Sequence, residues 1–229
     1  MSTAQTNSSV KANTSVVEDY VKVIYSHTEW QQNPVTPSEL AAKLGLAASS
    51  VTEMVKKLAA SALVTHVPYG AVTLTEEGRM LALRMLRRHR LIETWLVESF
   101  GYSWDEVHDE AEVLEHAVSD RLLEAIAAQL GHPVRDPHGD PIPSADGVVV
   151  RPDAVQLGLA ESGQRGRVVR ISDRDPMLLR YLQAESFRLD SVVEVVERKP
   201  FGGALVVRVD GIVHDLGAEA ASAIWMSVD

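Results

Sequence analysis

TPSELAAKLGLAASSVTEMVKKL, residues 36–58, decides the fold of the chain's first third. Thr36 precedes Pro37, whose missing N–H has no partner to lose at the first position of a helix. Glu39 stands three places beyond the threonine, as in a capping box. Gly45 closes that helix. A second run then places Val51, Met54, Val55 and Leu58, with Leu63 beyond, at the three- and four-residue spacing of an amphipathic helix. Two short helices joined by such a turn predict a helix-turn-helix.

Working outward, SVVEDYVKVIYSHTEWQ, residues 15–31, sets Val17, Tyr20, Val21, Ile24 and Tyr25 on one helical face. LVTHVPYGAVTLTEEGRML, residues 63–81, alternates around the turn PYG before TEEG starts a new helix, the pattern of strand, wing and strand. If this winged helix reads DNA, its second short helix lies in the major groove. Ser49, Ser50, Thr52 and Glu53 are then nearest the bases, and Lys56 and Lys57 touch phosphate. Thr36 and Ser38, opening the first short helix, complete the candidate contact set. Helix pairs of this kind also occur purely as packing units, so the charge distribution matters.

The formal net charge is -10, which taken alone argues against nucleic acid, but it is unevenly spread. Residues 11–90 hold ten Lys and Arg against seven Asp and Glu, a balance of +3, whereas residues 91–229 hold 12 against 25, a balance of -13. A nucleic-acid surface belongs in the first third. The absence of cysteine excludes a disulfide framework, a thiolate zinc site and a cysteine nucleophile. No apolar run reaches membrane-spanning length, and the polar lead MSTAQTNSSVKANT lacks the apolar centre of a secretory signal and reads as disordered. A cytoplasmic location is the default expectation.

RMLALRMLRRHRLIETWLVESF, residues 79–100, continues as a long helix with Leu83, Leu86, Ile92, Leu96 and Phe100 near one face. His89 and Glu93, four apart, read there as a surface ion pair. HDEAEVLEH, residues 108–116, contains no helix breaker. At 100° per residue His108, Glu112, Glu115 and His116 share one stripe, with Asp109 at its margin and Glu110 pointing away. Imidazoles mixed with carboxylates on one face suit a divalent cation; a solvated acidic surface is the alternative. The helix is expected to run on through AVSDRLLEAIAAQL, and the apolar stripes of these helices suit a dimer interface. GHPVRDPHGDPIPSADG, residues 131–147, then breaks the chain, with His132 and His138 expected in solvent. From Gly166, GRVVRIS and SVVEVVERKPFGGALVVRVDGIVHDLG read as strands with a hairpin at FGG, around one helix, DPMLLRYLQA. They predict a small β-barrel.

The order of parts resembles the diphtheria-toxin-repressor family of metal-dependent transcriptional regulators. The resemblance is carried by VEDYVKVIY, SSVTEMVKKL, RHRLIE, VHDEAEVLEH and DPHGDPIP and spans nearly the whole chain from Val16. It implies a mainly α protein: a winged-helix DNA-binding domain over 15–80 after the lead 1–14, a helical dimerisation and metal-binding domain over 81–140, a linker over 141–164, and an SH3-like β-barrel over 165–229. It implies a primary metal site of Asp19, Glu112, Glu115 and His116, and an ancillary site of His89, Glu93 and His108. The SH3-like domain adds Asp173 or Asp175 to the latter, Asp173 preferred. Iron-responding members resemble this chain but carry methionine and cysteine where Asp19 and Glu112 stand, so the carboxylates imply the manganese-responding branch. Oxygen ligands independently suit Mn²⁺. Lys22 stands where short manganese regulators carry a further glutamate, which argues against a second ion held in their manner.

The expected function is a homodimeric, metal-activated repressor binding a double-stranded DNA operator, with no membrane or small organic substrate as partner. Mn²⁺ is the expected ion and Fe²⁺ the alternative, with Co²⁺, Zn²⁺ or Cd²⁺ able to substitute in vitro. An enzymatic reading lacks its motifs, since neither paired Glu-x-x-His nor H-E-x-x-H occurs. A metal-independent winged-helix regulator is the remaining rival, one that would ignore a chelator.

Overall fold

The computed structural model describes residues 2–67 and 70–228; Pro68 and Tyr69, from the expected wing turn, lie outside them. The chain divides into two compact units, Met1–Arg88 with Pro143–Val148, and His89–Ile142 with Val149–Asp229.

In the first unit α1 spans Ser2–Glu29 and buries Tyr20, Val21 and Ile24. It starts well before the residue 15 expected from the apolar pattern, through the lead read as disordered. Neither Gly nor Pro occurs before Pro34, so nothing in the covalent chain stops the helix from propagating outward from its buried turns. α2 spans Pro37–Leu44 and is capped as the sequence predicts. Thr36 accepts from the Glu39 amide, the Glu39 carboxylate accepts from the Thr36 amide, and Gly45 ends the helix in the left-handed conformation at φ 65°. α3, Ala48–Ala60, buries Val51, Val55 and Leu58. β1, Val64–His66, and β2, Val72–Leu74, form the antiparallel wing, which Val35 extends by a single bridge to Val72. Leu40, Val51, Val55, Leu58, Val64 and Val72 belong to one core cluster.

Thr75 accepts from the Gly78 amide at the start of α4, Glu76–Phe100. Gly78 is required for space: a Cβ there would lie 1.9 Å from the Leu63 carbonyl oxygen. The last turns of α4, from His89, lie in the second unit with α5, Val107–Leu114, and α6, Asp120–Gln129. This corrects the expected continuous helix. The break comes because Ser119 caps α6, accepting from the Leu122 amide, so the chain is extended at Ser119 and residues 115–118 form a turn. Leu91, Ile92, Leu96, Val107, Ala111 and Leu123 form the helical core.

The rest of that unit is a six-stranded antiparallel sheet in the order β3-β8-β4-β5-β6-β7. Its strands are β3 Ala154–Gln156, β4 Arg165–Ile171, β5 Val192–Arg198, β6 Leu205–Val209, β7 Ile212–Leu216 and β8 Ile224–Ser227. Register shifts between Val168 and Arg170 and between Val195 and Glu197 curve the sheet. It wraps Val168, Leu182, Phe187, Val193 and Val207, with α7, Pro176–Ala184, packed on the core through Leu179 and Leu182. β3 falls in the segment expected to be a linker, and β8 has no counterpart in the sequence reading. Among the described residues no helix is long and apolar enough to cross a membrane.

Candidate metal centre and DNA-reading helix

The second unit brings together most of the ligand-type residues. His89 and Glu93 are adjacent on α4, yet both are buried, 5% and 1% exposed, which overturns their reading as a surface pair. The reason is tertiary. α5 lies over this face, and its His108 sets Nδ1 3.2 Å from His89 Nε2 and 3.4 Å from Glu93 Oε1, while His89 Nε2 is 3.0 Å from that same oxygen. Asp173, just after β4, approaches His108 Nδ1 to 3.4 Å. Asp175 is committed elsewhere, since its Oδ1 accepts from the Met177 and Leu178 amides as the N-cap of α7. Of the two candidates from the C-terminal sheet, Asp173 is therefore the one the fold places beside the histidines.

The other nitrogen of His89 faces a second group of acids. Nδ1 lies 2.5 Å from Glu115 Oε2 and 3.8 Å from Glu112 Oε1, and His116 Nε2 lies 3.5 Å from Glu115 Oε1. Glu112 is on α5, Glu115 is its C-terminal cap residue, and His116 follows in the turn. Glu115 is fully buried. One imidazole thus stands between two groups, His89–Glu93–His108 and His89–Glu112–Glu115, whose donor atoms lie within 4.8 Å of one another in each. Asp19 sits half-buried on α1 in the first unit.

The electrostatics follow from this crowding. Burial disfavours the charged form of His108, but its bonds to Asp173 and Glu93 outweigh burial and push its pKa up to about 11. Burial likewise opposes ionisation of Glu93 and Asp173. The histidines beside them reverse that effect and hold both carboxyls below their ordinary range. Buried carboxylates sharing imidazoles, all oxygen and nitrogen donors, fit a divalent cation of the kind those ligands favour.

The sequence reading missed His138, expected in solvent with His132. His132 is exposed; His138 is fully buried. Asp136 organises the loop around it, its Oδ1 accepting from the His138 and Asp140 amides. Gly139 adopts φ +93° where a Cβ would strike the Val169 carbonyl, and the Ile171 amide donates to the His138 carbonyl. Arg170 donates to Asp140 at 2.7 Å, and Arg90 donates to the Pro141 carbonyl at 2.7 Å while standing 3.6 Å from Asp136. Burial, with Asp140 and Glu93 nearby, pushes the Asp136 pKa up to about 7. The Asp-Pro-His-Gly-Asp spacing was visible, but only the contacts to β4 and α4 make it a buried loop.

In the first unit Ser49, Ser50, Thr52, Glu53, Lys56 and Lys57 are all exposed on α3, opposite Val51, Val55 and Leu58. The Thr52 hydroxyl donates to the Ala48 carbonyl and the Thr36 hydroxyl is engaged with Glu39, which leaves the Ser38, Ser49 and Ser50 side chains as the exposed hydroxyls at the two helix starts.

Three family models match successive stretches of the chain. Residues 13–72 match the iron dependent repressor N-terminal DNA binding domain, residues 75–144 its metal binding and dimerisation domain, and residues 155–228 the FeoA domain. A solved manganese-dependent transcriptional repressor in complex with manganese is 53% identical, with a TM-score of 0.90 over 93% of this chain and 100% of that one. The manganese regulator SloR is 32% identical, with a TM-score of 0.79 over 93% of this chain and 98% of its own. The diphtheria toxin repressor of Corynebacterium efficiens is 27% identical over 220 residues, 90% of this chain and 93% of that protein.

Proposed function

Because the chain belongs to the diphtheria-toxin-repressor family of metal-dependent transcriptional regulators, we propose that it is a homodimeric repressor, not an enzyme, that binds its DNA operator in the cytoplasm when loaded with Mn²⁺. The observation that carries this reading is the buried imidazole–carboxylate centre of the second unit, built entirely from oxygen and nitrogen donors. His89, Glu93, His108 and Asp173 hold the ancillary ion, and Glu112, Glu115 and His116, with Asp19 from α1, hold the primary one. Bound there, a divalent cation supplies positive charge among carboxylates that otherwise repel one another.

Asp19 belongs to the DNA-binding unit and the other primary ligands to the dimerisation helices. Their joint commitment favours the arrangement in which two copies of α3 meet half-sites about 34 Å apart, or a multiple of that distance. Ser49, Ser50 and Glu53 then face bases, Thr52 keeps its lone pairs for them, and Lys56 and Lys57 sit at phosphates with Thr36 and Ser38 nearby. Val113 and Leu122, exposed apolar residues of α5 and α6, belong to the dimer contact. Carboxylates at Asp19 and Glu112, together with likeness to manganese-dependent repressors, favour Mn²⁺ over Fe²⁺. Fe²⁺ binds more tightly to a given site, so the preference arises from geometry or availability.

The test is an anaerobic titration of selected DNA fragments with Mn²⁺, Fe²⁺, Zn²⁺ or chelator. Mn²⁺ activates at concentrations where Fe²⁺ activates less. Equal DNA affinity with and without chelator rejects metal control, and stronger activation by Fe²⁺ rejects the manganese assignment.

A further inference from the structure

Glu93 presents its two oxygens to different neighbours. Oε1 meets His89 and His108, whereas Oε2 is buried without a hydrogen-bond partner among the described residues. It lies 4.0 Å from His138 Nδ1, which is likewise buried and without a partner among them. The tautomer of His138 follows from its other nitrogen: Nε2 is 2.6 Å from the Trp104 carbonyl oxygen, which can only accept, so Nε2 carries the hydrogen. In the neutral ring Nδ1 therefore aims a lone pair at a carboxylate oxygen. Asp136 is the third member, with a carboxylate oxygen within 4.8 Å of the donor atoms of both.

Three observations narrow what satisfies this arrangement. A hydrogen bond between Nδ1 and Oε2 would need about 2.7–3.2 Å, so the gap is too wide for a shared proton. With His138 neutral and Asp136 ionised, a water has two hydrogens for three acceptors. A cation with bonds of about 2.0–2.2 Å can join ligand atoms up to roughly 4.3 Å apart, which covers the 4.0 Å between Glu93 Oε2 and His138 Nδ1. Charge agrees. Arg90, Arg170 and His108 stand beside four buried or half-buried carboxylates, Glu93, Asp136, Asp140 and Asp173, so the carboxylates are in excess, and the more so once His108 gives up its proton to become a ligand.

We infer that Glu93 Oε2, Asp136 and His138 Nδ1 form a third divalent-cation site, distinct from the primary and ancillary sets, in which Glu93 bridges the ancillary ion and the new one. The site takes a borderline or hard ion that accepts imidazole and carboxylate, Mn²⁺ or Zn²⁺. It makes the Asp136–Asp140 loop, and through it β4, part of the metal centre. The inference needs only metal binding and is independent of the operator.

The test uses the full chain, stripped with chelator and saturated with Mn²⁺. Equilibrium dialysis of wild type is expected to count one more Mn²⁺ per protomer than His138→Phe or Asp136→Asn. The second variant retains an oxygen for the two loop amides, so it keeps the count interpretable if the first fails to fold. Crystals of the Mn²⁺-loaded protein are expected to show an anomalous manganese peak within bonding distance of Glu93 Oε2 and His138 Nδ1. His116→Ala should lose an ion but keep this peak, which separates an error in the primary site from one here. An unchanged count in Asp136→Asn, or density at this point without anomalous signal, overturns the site in favour of an ordered water.

Discussion

Polar residues on α3 and on α4–α5 look alike in the sequence and meet opposite fates in the fold. On α3 Ser49, Ser50, Thr52, Glu53, Lys56 and Lys57 form an exposed face whose apolar counterparts are buried, and one helix's periodicity fully describes them. On α4 His89 and Glu93 also sit four apart, yet α5 covers them with His108, and the C-terminal sheet brings Asp173 to the same place. A surface polar residue answers to its own helix; a buried one answers to whatever long-range element pairs it.

The largest expected effect tests the buried side of that contrast. Glu112→Ala and His116→Ala should each abolish metal-stimulated DNA binding while leaving the dimer and its circular dichroism spectrum intact. Stimulation surviving in both variants would remove these residues from the primary site. On the exposed side the effect is graded. Lys56→Ala with Lys57→Ala should weaken binding to all DNA sequences and reduce the salt slope by roughly 1.8, about 0.9 per lost phosphate contact. An unchanged slope would move the phosphate surface away from α3.

Proton linkage gives a smaller, opposed pair of effects at His108. Its folded pKa of about 11 exceeds the ordinary 6.5. The metal-free fold therefore gains stability that is fully present below 6.5 and is lost as pH rises toward 11. A metal at the proposed ancillary site would have to displace that proton, so its affinity should rise with pH as the stability of the metal-free fold falls. Calorimetry in buffers of different ionisation enthalpy should detect about one proton released by wild type that His108→Gln does not release. Equal release in both would show His108 to be neutral before metal arrives. The smallest effect is local: Thr36→Ala should cost about 1 kcal/mol in urea denaturation through loss of the α2 cap. A variant as stable as wild type would show that the cap adds nothing to packing.

The same contrast explains how much was legible in advance. Thr36, Pro37, Glu39 and Gly45 act within a few residues of themselves, so both ends of α2 could be read directly. Met54 and Leu63 were grouped with Val51, Val55 and Leu58 by spacing, and all five belong to or pack against one core. Ser119 gives no break in the periodic pattern because the run from His108 contains no Gly or Pro until Gly131, yet an N-cap residue can end one helix by starting the next. His138 was illegible for a different reason. Its burial depends on Trp104, Glu93 and the backbone of β4, none of them nearby in sequence. β8 is not legible because IWMS is too short to show a period, and only its pairing with β3 and β4 defines it.

His89 stands between the two acidic groups with a different nitrogen toward each, Nε2 to Glu93 and Nδ1 to Glu115. With Nε2 as a metal ligand, the remaining hydrogen would reside on Nδ1, where it would donate to Glu115 and fix that carboxylate's orientation. Glu115 would then be poised by an event on the far side of the ring. The dose–response of DNA binding should consequently be steeper than a single independent site permits, with a Hill coefficient above one that returns to one in Glu93→Gln. A coefficient unchanged by that substitution would mean the ring transmits nothing. A coefficient above one would confine the response to a narrow interval of metal concentration, with its threshold set by which nitrogen of one imidazole holds a proton.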